Sequence, residues 1–205
     1  MRVVIKIGGS LMYQRKEILY RLEEYSSESG KEIVIIPGGG VFADLVRSHS
    51  EEISEDTAHW MAIHAMDQYG LYLADGTSIP LLYDITGIGE GAGTFILLPY
   101  MILKQLDPLP HSWDVTSDTI AAWVAGELGA EFIKVTDVDG VFFEGSLIDK
   151  VSAKELIGKL TCIDRGLPKL LIRRRMNCAV VNGKYPERII DVLEKKKFIG
   201  TVILG

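Results

Sequence analysis

The chain has 205 residues with 28 acidic and 22 basic side chains, and its formal net charge of -6 leaves no positive field that would attract DNA or RNA. Hydrophobic residues make up 47% of the sequence, yet the longest apolar run, residues 95–103, is interrupted by Pro99 and is about half as long as a membrane span. Lys6 breaks the first apolar run too early for a signal peptide. We therefore expect a cytoplasmic protein that binds neither nucleic acid nor membrane.

A chain of this length can bury roughly 70% of the surface that it exposes when unfolded, so it needs no disulfide and no structural metal. The two cysteines, Cys162 and Cys178, are interpreted as reduced packing residues. No spacing of Cys and His matches a zinc site. We expect a single domain over residues 1–205, without a metal-binding cluster of side chains.

The first part of the chain predicts a strand, a tight turn, a helix and a second strand. Residues 3–7 form a run rich in β-branched side chains, and residues 16–28 carry apolar side chains at helical spacing. Gly30 suits the end of that helix. Residues 33–36 predict the second strand, which stops at Pro37-Gly38-Gly39-Gly40. This order is typical of a βαβ unit.

The same order of elements returns later in the chain. Helices are predicted at 118–128, near 153–157, at 169–175 and at 186–195, and strands at 132–135, 179–181 and 201–204. The strands are apolar throughout, which is typical of strands buried on both faces. The pattern therefore predicts the α/β class, with a mainly parallel sheet covered by helices. The turn at residues 107–110 marks a seam between two lobes.

Glycines follow the predicted strands, at Gly8-Gly9, at Gly38-Gly39-Gly40 and at Gly140. In parallel sheets, ligands bind beyond the carboxyl ends of the strands. Glycine lets the backbone approach closely enough to donate N–H groups to phosphate oxygens. These positions favour a cleft that handles phosphate groups.

Lys6 lies inside an apolar strand, so its side chain occupies either an exposed sheet edge or the cleft at the strand's end. The glycines that follow favour the cleft, where an ammonium group would neutralise charge on a transferred phosphoryl group. Asp118 leaves two alternatives open. With Ser117 as N-cap, it is either an ordinary first-turn acid of a helix or a catalytic carboxylate.

Several other motifs are ambiguous. Thr136-Asp137-Val138-Asp139-Gly140 lacks the third acid and the closing Glu of a calcium loop, which favours a nucleotide turn. Residues 87–92 match a relaxed dinucleotide fingerprint but precede a predicted strand, so we interpret residues 87–93 as a glycine loop or hairpin over the cleft. His59 and His64 are spaced too far around a helix to bind one metal ion, whereas His111, in a loop, is a better candidate for ligand contact.

Five segments, taken in order over the whole chain, resemble the amino acid kinase superfamily. They are Lys6-Ile7-Gly8-Gly9-Ser10, Pro37-Gly38-Gly39-Gly40, Thr116-Ser117-Asp118, Thr136-Asp137-Val138-Asp139-Gly140-Val141 and Gly200-Thr201-Val202-Ile203. The resemblance implies an open αβα sandwich with a substrate lobe at about 1–110 and a nucleotide lobe at about 111–205. It also implies transfer of the ATP γ-phosphoryl group with Mg²⁺ held mainly by the ATP phosphates, and assembly as a homo-oligomer.

The resemblance assigns roles to individual residues. Lys6 would stabilise the transferred phosphoryl group, and Asp118 would orient the lysines, the second of which is best matched by Lys169 in Gly166-Leu167-Pro168-Lys169. Backbone N–H groups would come from Gly8, Gly9 and Gly39. The nucleotide side would consist of Gly8, Gly9, Ser10, Thr136, Asp137, Asp139 and Gly140. The acceptor side would consist of Gly38, Gly39, Gly40, Phe42, His59, His111 and Thr116.

Within the superfamily, the chain looks most like a short archaeal branch that phosphorylates a phosphate monoester in methanofuran biosynthesis. The segments around Ile36-Pro37-Gly38, His111-Ser112-Trp113 and Met176-Asn177-Cys178 carry this resemblance. Because a phosphate monoester is already ionised, such a reaction needs positioning and charge neutralisation but no general base. The alternatives are a carboxylate kinase that forms an acyl phosphate, an isopentenyl phosphate or nucleoside monophosphate kinase, and a non-catalytic nucleotide-binding regulator.

Overall fold

The computed structural model describes residues 2–86, 88 and 91–205. Gly87, Gly89 and Glu90, which belong to the predicted glycine loop, lie outside these residues. The α-helices of the described residues are α1 Arg15–Ser29, α2 Gly40–Ser48, α3 Glu55–Ala74, α4 Tyr100–Leu106, α5 Ser117–Glu127, α6 Ala153–Leu156, α7 Leu167–Arg174 and α8 Pro186–Leu193, and short 3₁₀ helices span Gly9–Gln14 and Ser50–Glu52. The strands are β1 Arg2–Ile7, β2 Glu32–Pro37, β3 Leu81–Leu82, β4 Gly93–Leu97, β5 Glu131–Thr136, β6 Phe142–Phe143, β7 Ser146–Leu147, β8 Lys150–Ser152, β9 Cys178–Asn182 and β10 Gly200–Leu204.

Eight strands of the described residues form one sheet in the order β3-β4-β2-β1-β5-β9-β10-β8. β1 lies near its centre and is parallel to β2 on one side and to β5 on the other. Within this order, each neighbouring pair from β3 through β9 is parallel, β10 runs antiparallel to β9, and β8 is parallel to β10. The predicted α/β class and mainly parallel sheet are confirmed. The carboxyl ends of β1, β2 and β5 consequently meet at one edge of the sheet.

Two apolar layers cover the sheet because successive side chains of a strand point to opposite faces. In β1, Val3, Ile5 and Ile7 pack into the layer that contains α1 and α8. Val4 packs into the opposite layer, which contains α5 and α7. Lys6, two residues after Val4, therefore points to the α5 side.

Local capping signals mark the ends of two helices, of which the sequence analysis predicted only the end of α1. α1 ends at Gly30, whose φ of +68° is left-handed and whose N–H donates to Ser26 O. α3 begins after Ser54, whose hydroxyl accepts the N–H of Thr57 at 3.2 Å. α5 differs from the expectation, since its N-cap is Thr116 rather than Ser117 and no side chain of the cap residue bonds the helix. Within the described part of the chain, every helix is too short or too polar to cross a bilayer.

Candidate active site

Lys6 lies near the carboxyl end of β1, in the middle of the sheet, and its side chain is buried. Only 7% of the residue is exposed. Because β1 has a hydrogen-bonded strand on each side, the alternative of a lysine on an exposed sheet edge is wrong. A buried ammonium group requires an anionic partner.

That partner is Asp118, in the first turn of α5. Asp118 Oδ1 lies 2.9 Å from Lys6 Nζ, and Asp118 Oδ2 accepts a hydrogen bond from Lys134 Nζ. Lys134 is the direct register partner of Lys6 on the neighbouring strand β5, so both side chains leave the same face of the sheet at the same level. One carboxylate therefore binds two buried ammonium groups, one at each oxygen.

The charges of these three residues depend on one another. Burial alone would raise the pKa of the Asp118 carboxyl, but the positive charges of Lys134 and Lys6 outweigh burial and hold the pKa below its usual range. Burial lowers the pKa of Lys6, and Asp118 opposes that effect. Burial would also lower the pKa of Lys134, but Asp118 overcomes it and raises the value. The carboxylate is consequently ionised at neutral pH.

Asp164 anchors the helix that carries Asp118. Its Oδ2 accepts the N–H and the hydroxyl of Thr116 and the N–H of Thr119, each at 2.9 Å. Its Oδ1 accepts the N–H of Leu167 at 2.9 Å, at the start of α7. The main-chain N–H of Asp164 donates to Asp118 Oδ2 at 3.1 Å. A carboxylate distant in sequence thus supplies the cap that α5 lacks locally and restrains Asp118 directly.

The two glycine turns lie against each other beside these residues. A Cβ atom on Gly9 would lie 2.1 Å from the Cα of Gly40, so only glycine allows this close approach. Among the described backbone hydrogen bonds outside the helices and strands, none uses the N–H groups of Gly9, Ser10, Gly39 or Gly40, and the first N–H groups of a helix have no partner within that helix. These four donors are available to an anion.

Two other glycines of the turns differ from expectation. The N–H of Gly8 donates to Val135 O at 2.9 Å, which links the ends of β1 and β5. The N–H of Gly38 donates to Ile7 O at 2.8 Å. The expectation that Gly8 donates its N–H to a phosphate is therefore wrong, and Gly8 and Gly38 instead hold the strand ends together.

A cavity of about 470 Å³ opens over the glycine turns. Several residues that the sequence assigned to ligands line it, namely Gly9, Ser10, Gly39, Gly40, His59 and Thr116. Apolar side chains that include Met12, Ile63 and Ile120 form much of the remaining wall. The cavity suits an organic molecule that presents an anionic group to the backbone N–H donors.

Charged side chains occupy one part of the cavity wall. Arg47 lies over the ring of Trp113, with its guanidinium carbon 4.9 Å from the ring centre. Arg47 also pairs with Asp44, with Nη1 and Oδ1 3.0 Å apart. Glu55, at the start of α3, lines the same wall. With Arg47 balanced by Asp44, Glu55 gives the cavity lining an excess of negative charge.

The histidines form a stack beside the cavity. His59 lines the cavity, and its ring lies 4.1 Å from that of His111. Each ring nitrogen of His111 lies 2.7 Å from a carboxylate oxygen, one of Asp56 and one of Asp107. These hydrogen bonds raise the pKa of His111, whereas burial and the neighbouring His111 lower the pKa of His59 to about 4. His111 thus supports His59 from behind, and it does not itself line the cavity.

Phe42 is also absent from the residues that line the cavity. It packs against the apolar layer that contains α1. The structure therefore does not place Phe42 at the cavity that would hold the acceptor, and Ala43 and Asp44 of the same helix line the cavity.

Of the residues assigned to the nucleotide, Gly8, Gly9 and Ser10 follow β1, whereas Thr136, Asp137, Asp139 and Gly140 lie at or just after the carboxyl end of β5, next to the end of β9. Asp139 Oδ1 accepts Asn182 Nδ2 at 2.9 Å and Arg188 Nη1 at 2.6 Å. Asp137 Oδ2 lies 4.0 Å from Lys184 Nζ. The end of β5, Thr136, and the first glycine after it, Gly140, belong to the same edge of the sheet. This edge therefore presents two cations and two carboxylates next to the Lys6 region.

Lys169 is exposed on α7. The two lysines that contact Asp118 are Lys6 and Lys134, so the structure does not bring Lys169 to the carboxylate that was expected to orient it. No group of three or more His, Cys, Asp or Glu within the described ranges is arranged to hold a metal ion.

The sequence analysis did not assign a role in the site to four residues of this region, and they differ in the signal that the sequence offers for them. They are Lys134, Asp164, Asn182 and Arg188. Lys134 has the same signal as Lys6, a lysine inside an apolar strand. Asn182 directly follows a predicted strand, and Arg188 lies in the first turn of a predicted helix. Asp164 lies in a loop without periodicity and offers no such signal.

Comparison with known proteins supports one family. The model of the amino acid kinase family matches residues 1–181. The chain is 41% identical to [5-(aminomethyl)furan-3-yl]methyl phosphate kinase of Methanocaldococcus jannaschii, over 98% of this chain and 97% of that protein. It is 24% identical to the uridylate kinase of Thermofilum pendens, over 98% of this chain and 96% of that protein.

Solved structures agree in fold. The uridylate kinase from Archaeoglobus fulgidus superposes with a TM-score of 0.71 at 21% identity, over 99% of this chain and 100% of that one. The UMP kinase from Ureaplasma parvum gives a TM-score of 0.73 at 20% identity, with 100% of both chains covered. The family resemblance that the five sequence segments predicted is confirmed: the chain belongs to the amino acid kinase family.

Proposed function

We propose that the protein is an ATP-dependent kinase that transfers the γ-phosphoryl group to a phosphate monoester, [5-(aminomethyl)furan-3-yl]methyl phosphate, and forms its diphosphate. An oxygen of the acceptor phosphate attacks the γ-phosphorus, the bond from that phosphorus to the β-phosphate oxygen breaks, and ADP leaves. The acceptor oxygen is already ionised, so no proton has to be removed.

The observation that carries this proposal is the buried ion pair of Lys6 and Asp118, which lies close in sequence to Gly9 and Ser117 of the cavity wall. Lys6 places positive charge where the γ-phosphoryl group passes between two oxygens. The N–H groups of Gly9 and Gly39 hold the phosphate oxygens. Fixed donors of this kind need no reorganisation during the reaction, which is how they lower the barrier.

The cavity lining favours an acceptor that carries a cation at the end opposite its phosphate. The acceptor named for the relative from M. jannaschii carries a phosphate, an aromatic ring and an aminomethyl group. The phosphate suits the glycine N–H donors, the ring suits Trp113 and the apolar wall, and the ammonium group suits Glu55. A second anionic group at this end would be repelled by Glu55.

ATP and Mg²⁺ fit the chemistry of the remaining residues. Ser10 offers a free backbone N–H, and Arg188 and Lys184 supply cations near the ends of β5 and β9. When bound with the nucleotide, Mg²⁺ would neutralise charge on the β- and γ-phosphates. Asp137 and Asp139 are the carboxylates of this edge and would face the nucleotide.

The division into lobes and the assembly are part of the same proposal. Residues 1–110 would bind the acceptor and residues 111–205 the nucleotide, which agrees with the origin of most cavity residues in the first segment. A homo-oligomer stays a prediction, as does a cytoplasmic location, and we propose α3 of the first segment as the helix through which the oligomer forms. Met61, Leu71 and Tyr72 leave apolar surface exposed on that helix. Light scattering after size exclusion measures the oligomeric state.

A panel of acceptors tests the proposal. The purified protein with ATP and Mg²⁺ is incubated with the aminomethylfuran phosphate, UMP, isopentenyl phosphate and N-acetylglutamate, and ADP release is followed with and without hydroxylamine. We expect the highest kcat/KM with the aminomethylfuran phosphate and no hydroxamate. A hydroxamate would identify a carboxylate kinase, and a higher kcat/KM with UMP would identify a nucleoside monophosphate kinase. ATP binding without ADP release on any acceptor would identify a regulator.

A further inference from the structure

Lys134 is a buried cation that the mechanism above does not use. Only 3% of the residue is exposed, and its neighbours along β5 are the apolar Ile133 and Val135. An apolar residue at this position would avoid the cost of burying a charge. The lysine therefore calls for a role beyond packing.

The register of the sheet shows what Lys134 does locally. Lys134 pairs with Lys6 across two adjacent parallel strands, which lie about 4.8 Å apart in any sheet. Two ammonium groups so close together repel each other unless an anion separates them. Asp118 is that anion, and each of its oxygens is assigned to one lysine.

The hydrogen bonds to Asp118 make its orientation depend on Lys134. Oδ2 is held by Lys134 Nζ and by the N–H of Asp164, whereas Oδ1 has Lys6 as its close cation. Without Lys134, rotation of the carboxylate would bring either oxygen to Lys6 and move the ammonium away from the phosphate site. The contacts of Oδ2 thus fix the oxygen that holds Lys6.

We propose that Lys134 is a positioning residue of the phosphoryl transfer, which acts through Asp118 to hold the Lys6 ammonium at the phosphate site without touching the substrate. The second lysine of this site accordingly comes from strand β5, and Lys169 of α7 is not needed to orient Asp118. This inference rests on the proposed kinase function.

The charged and titratable groups that face Lys134 come from several elements. They are Lys6 on β1, Asp118 on α5, Cys162 and Asp164 in the loop before α7, and Cys178 on β9. Loss of the Lys134 charge removes the largest influence that lowers the pKa of Asp118, and it also removes a repulsion that lowers the pKa of Lys6. Both pKa values are expected to rise.

The test uses Lys134→Met and Lys134→Gln in the full-length protein, with Lys150→Met, an exposed strand lysine, as the matched control. We expect kcat of Lys134→Met to fall about 30- to 100-fold, with the KM values for ATP and acceptor within about threefold of wild type. Lys134→Gln retains an N–H for Asp118 and should lose less. In both variants the acid and alkaline limbs of the kcat profile should move to higher pH, which a loss of folded protein alone would not cause. Lys150→Met should match wild type.

Three kinetic results would overturn the inference, and a fourth result comes from the titration described below. The first is a kcat within twofold of wild type, with an unchanged pH profile, in either Lys134 variant. The second is an activity loss that follows the unfolded fraction in thermal melts, with no change in the pH profile. The third is a large loss of kcat in Lys169→Met that the Lys134 variants do not share. If Lys134→Met fails to fold, the profile of Lys134→Gln decides.

A measurement without turnover separates this inference from the proposed function. The carboxyl ¹³C resonance of Asp118 is titrated in the wild type and in Lys134→Gln. The inference requires a higher pKa of Asp118 in the variant, whether or not the aminomethylfuran phosphate is the acceptor. An unchanged Asp118 titration is the fourth result that overturns it, whereas failure of the acceptor panel overturns only the proposed function.

Discussion

Lys6 Nζ and Asp118 Oδ1 lie 2.9 Å apart, although the two residues come from opposite halves of the chain. Lys6 comes from the first strand and Asp118 from the first turn of α5. The contact joins the two proposed lobes at the point where the phosphoryl group would be transferred. It therefore connects the fold to the proposed chemistry.

Replacement of Lys6 by Met should abolish most of the activity while the fold is retained. The variant loses the cation that neutralises the transferred group, and removal of one such donor typically costs about 10²- to 10³-fold in kcat. Asp118 keeps Lys134 as a partner, so the protein should still melt cooperatively. Steady-state kinetics and a thermal melt check both statements. A kcat within fivefold of wild type would remove Lys6 from the mechanism.

Replacement of Asp164 by Ala should destabilise the protein by about 3 kcal/mol, because N–H groups at the starts of two helices lose their acceptor. Those donors are Thr116 and Thr119 of α5 and Leu167 of α7. Denaturant unfolding measures the change. Asp149→Ala, at an exposed position, is the control and should stay within about 0.5 kcal/mol of wild type. Equal effects of the two changes would contradict the capping role.

Replacement of Glu55 by Gln should weaken binding of an acceptor that carries an ammonium group. We expect KM for the aminomethylfuran phosphate to rise about three- to tenfold, since one exposed charge pair is lost. KM for the analogue with a methyl group in place of the aminomethyl group should not change. Glu51→Gln, exposed and outside the cavity wall, is the matched control. Equal changes for the two acceptors would show that Glu55 does not recognise the amine.

The partly buried carboxyl group of Asp67 should make the free energy of unfolding depend on pH. Burial raises the pKa of Asp67 to about 6, although its carboxylate accepts the N–H of Tyr100 at 3.2 Å. Asp67 binds a proton more tightly in the folded state than in the unfolded chain. Its contribution to the free energy of unfolding is therefore present at low pH and is lost as pH rises from about 4 to 6. Asp67→Asn should gain about 1 kcal/mol at pH 7 and nothing at pH 4. Urea unfolding at both pH values checks this, and an equal change at both would contradict it.

The sequence predicted the elements whose patterns are local. The run of β-branched residues before Gly8 gave β1, and the apolar spacing before Gly30 gave α1. α3, with 20 residues, shows no single apolar stripe because Ile63 and Met66 pack in one layer while Tyr69 and Leu73 pack in the other. The two-residue strands β3, β6 and β7 are too short for any periodicity to show.

The site was predicted only where its residues leave a local signal in the sequence. Lys6 stands out because a lysine interrupts an apolar strand, and the role of Asp118 as its partner was then inferred from the family resemblance. The partnership of Lys6 with Lys134 depends on strand order and register, which come from pairing in three dimensions. The bonds of Asp164 depend on a loop that folds back onto α5, and neither periodicity nor composition records that contact.

The central claim is most directly tested by ³¹P NMR of the reaction of the purified protein with ATP, Mg²⁺ and [5-(aminomethyl)furan-3-yl]methyl phosphate. We predict that the single monoester resonance is replaced by the two coupled resonances of a diphosphate, in step with the formation of ADP, and that Lys6→Met does not give them at a comparable rate. An unchanged monoester resonance from folded wild-type protein that binds ATP would contradict the proposed function.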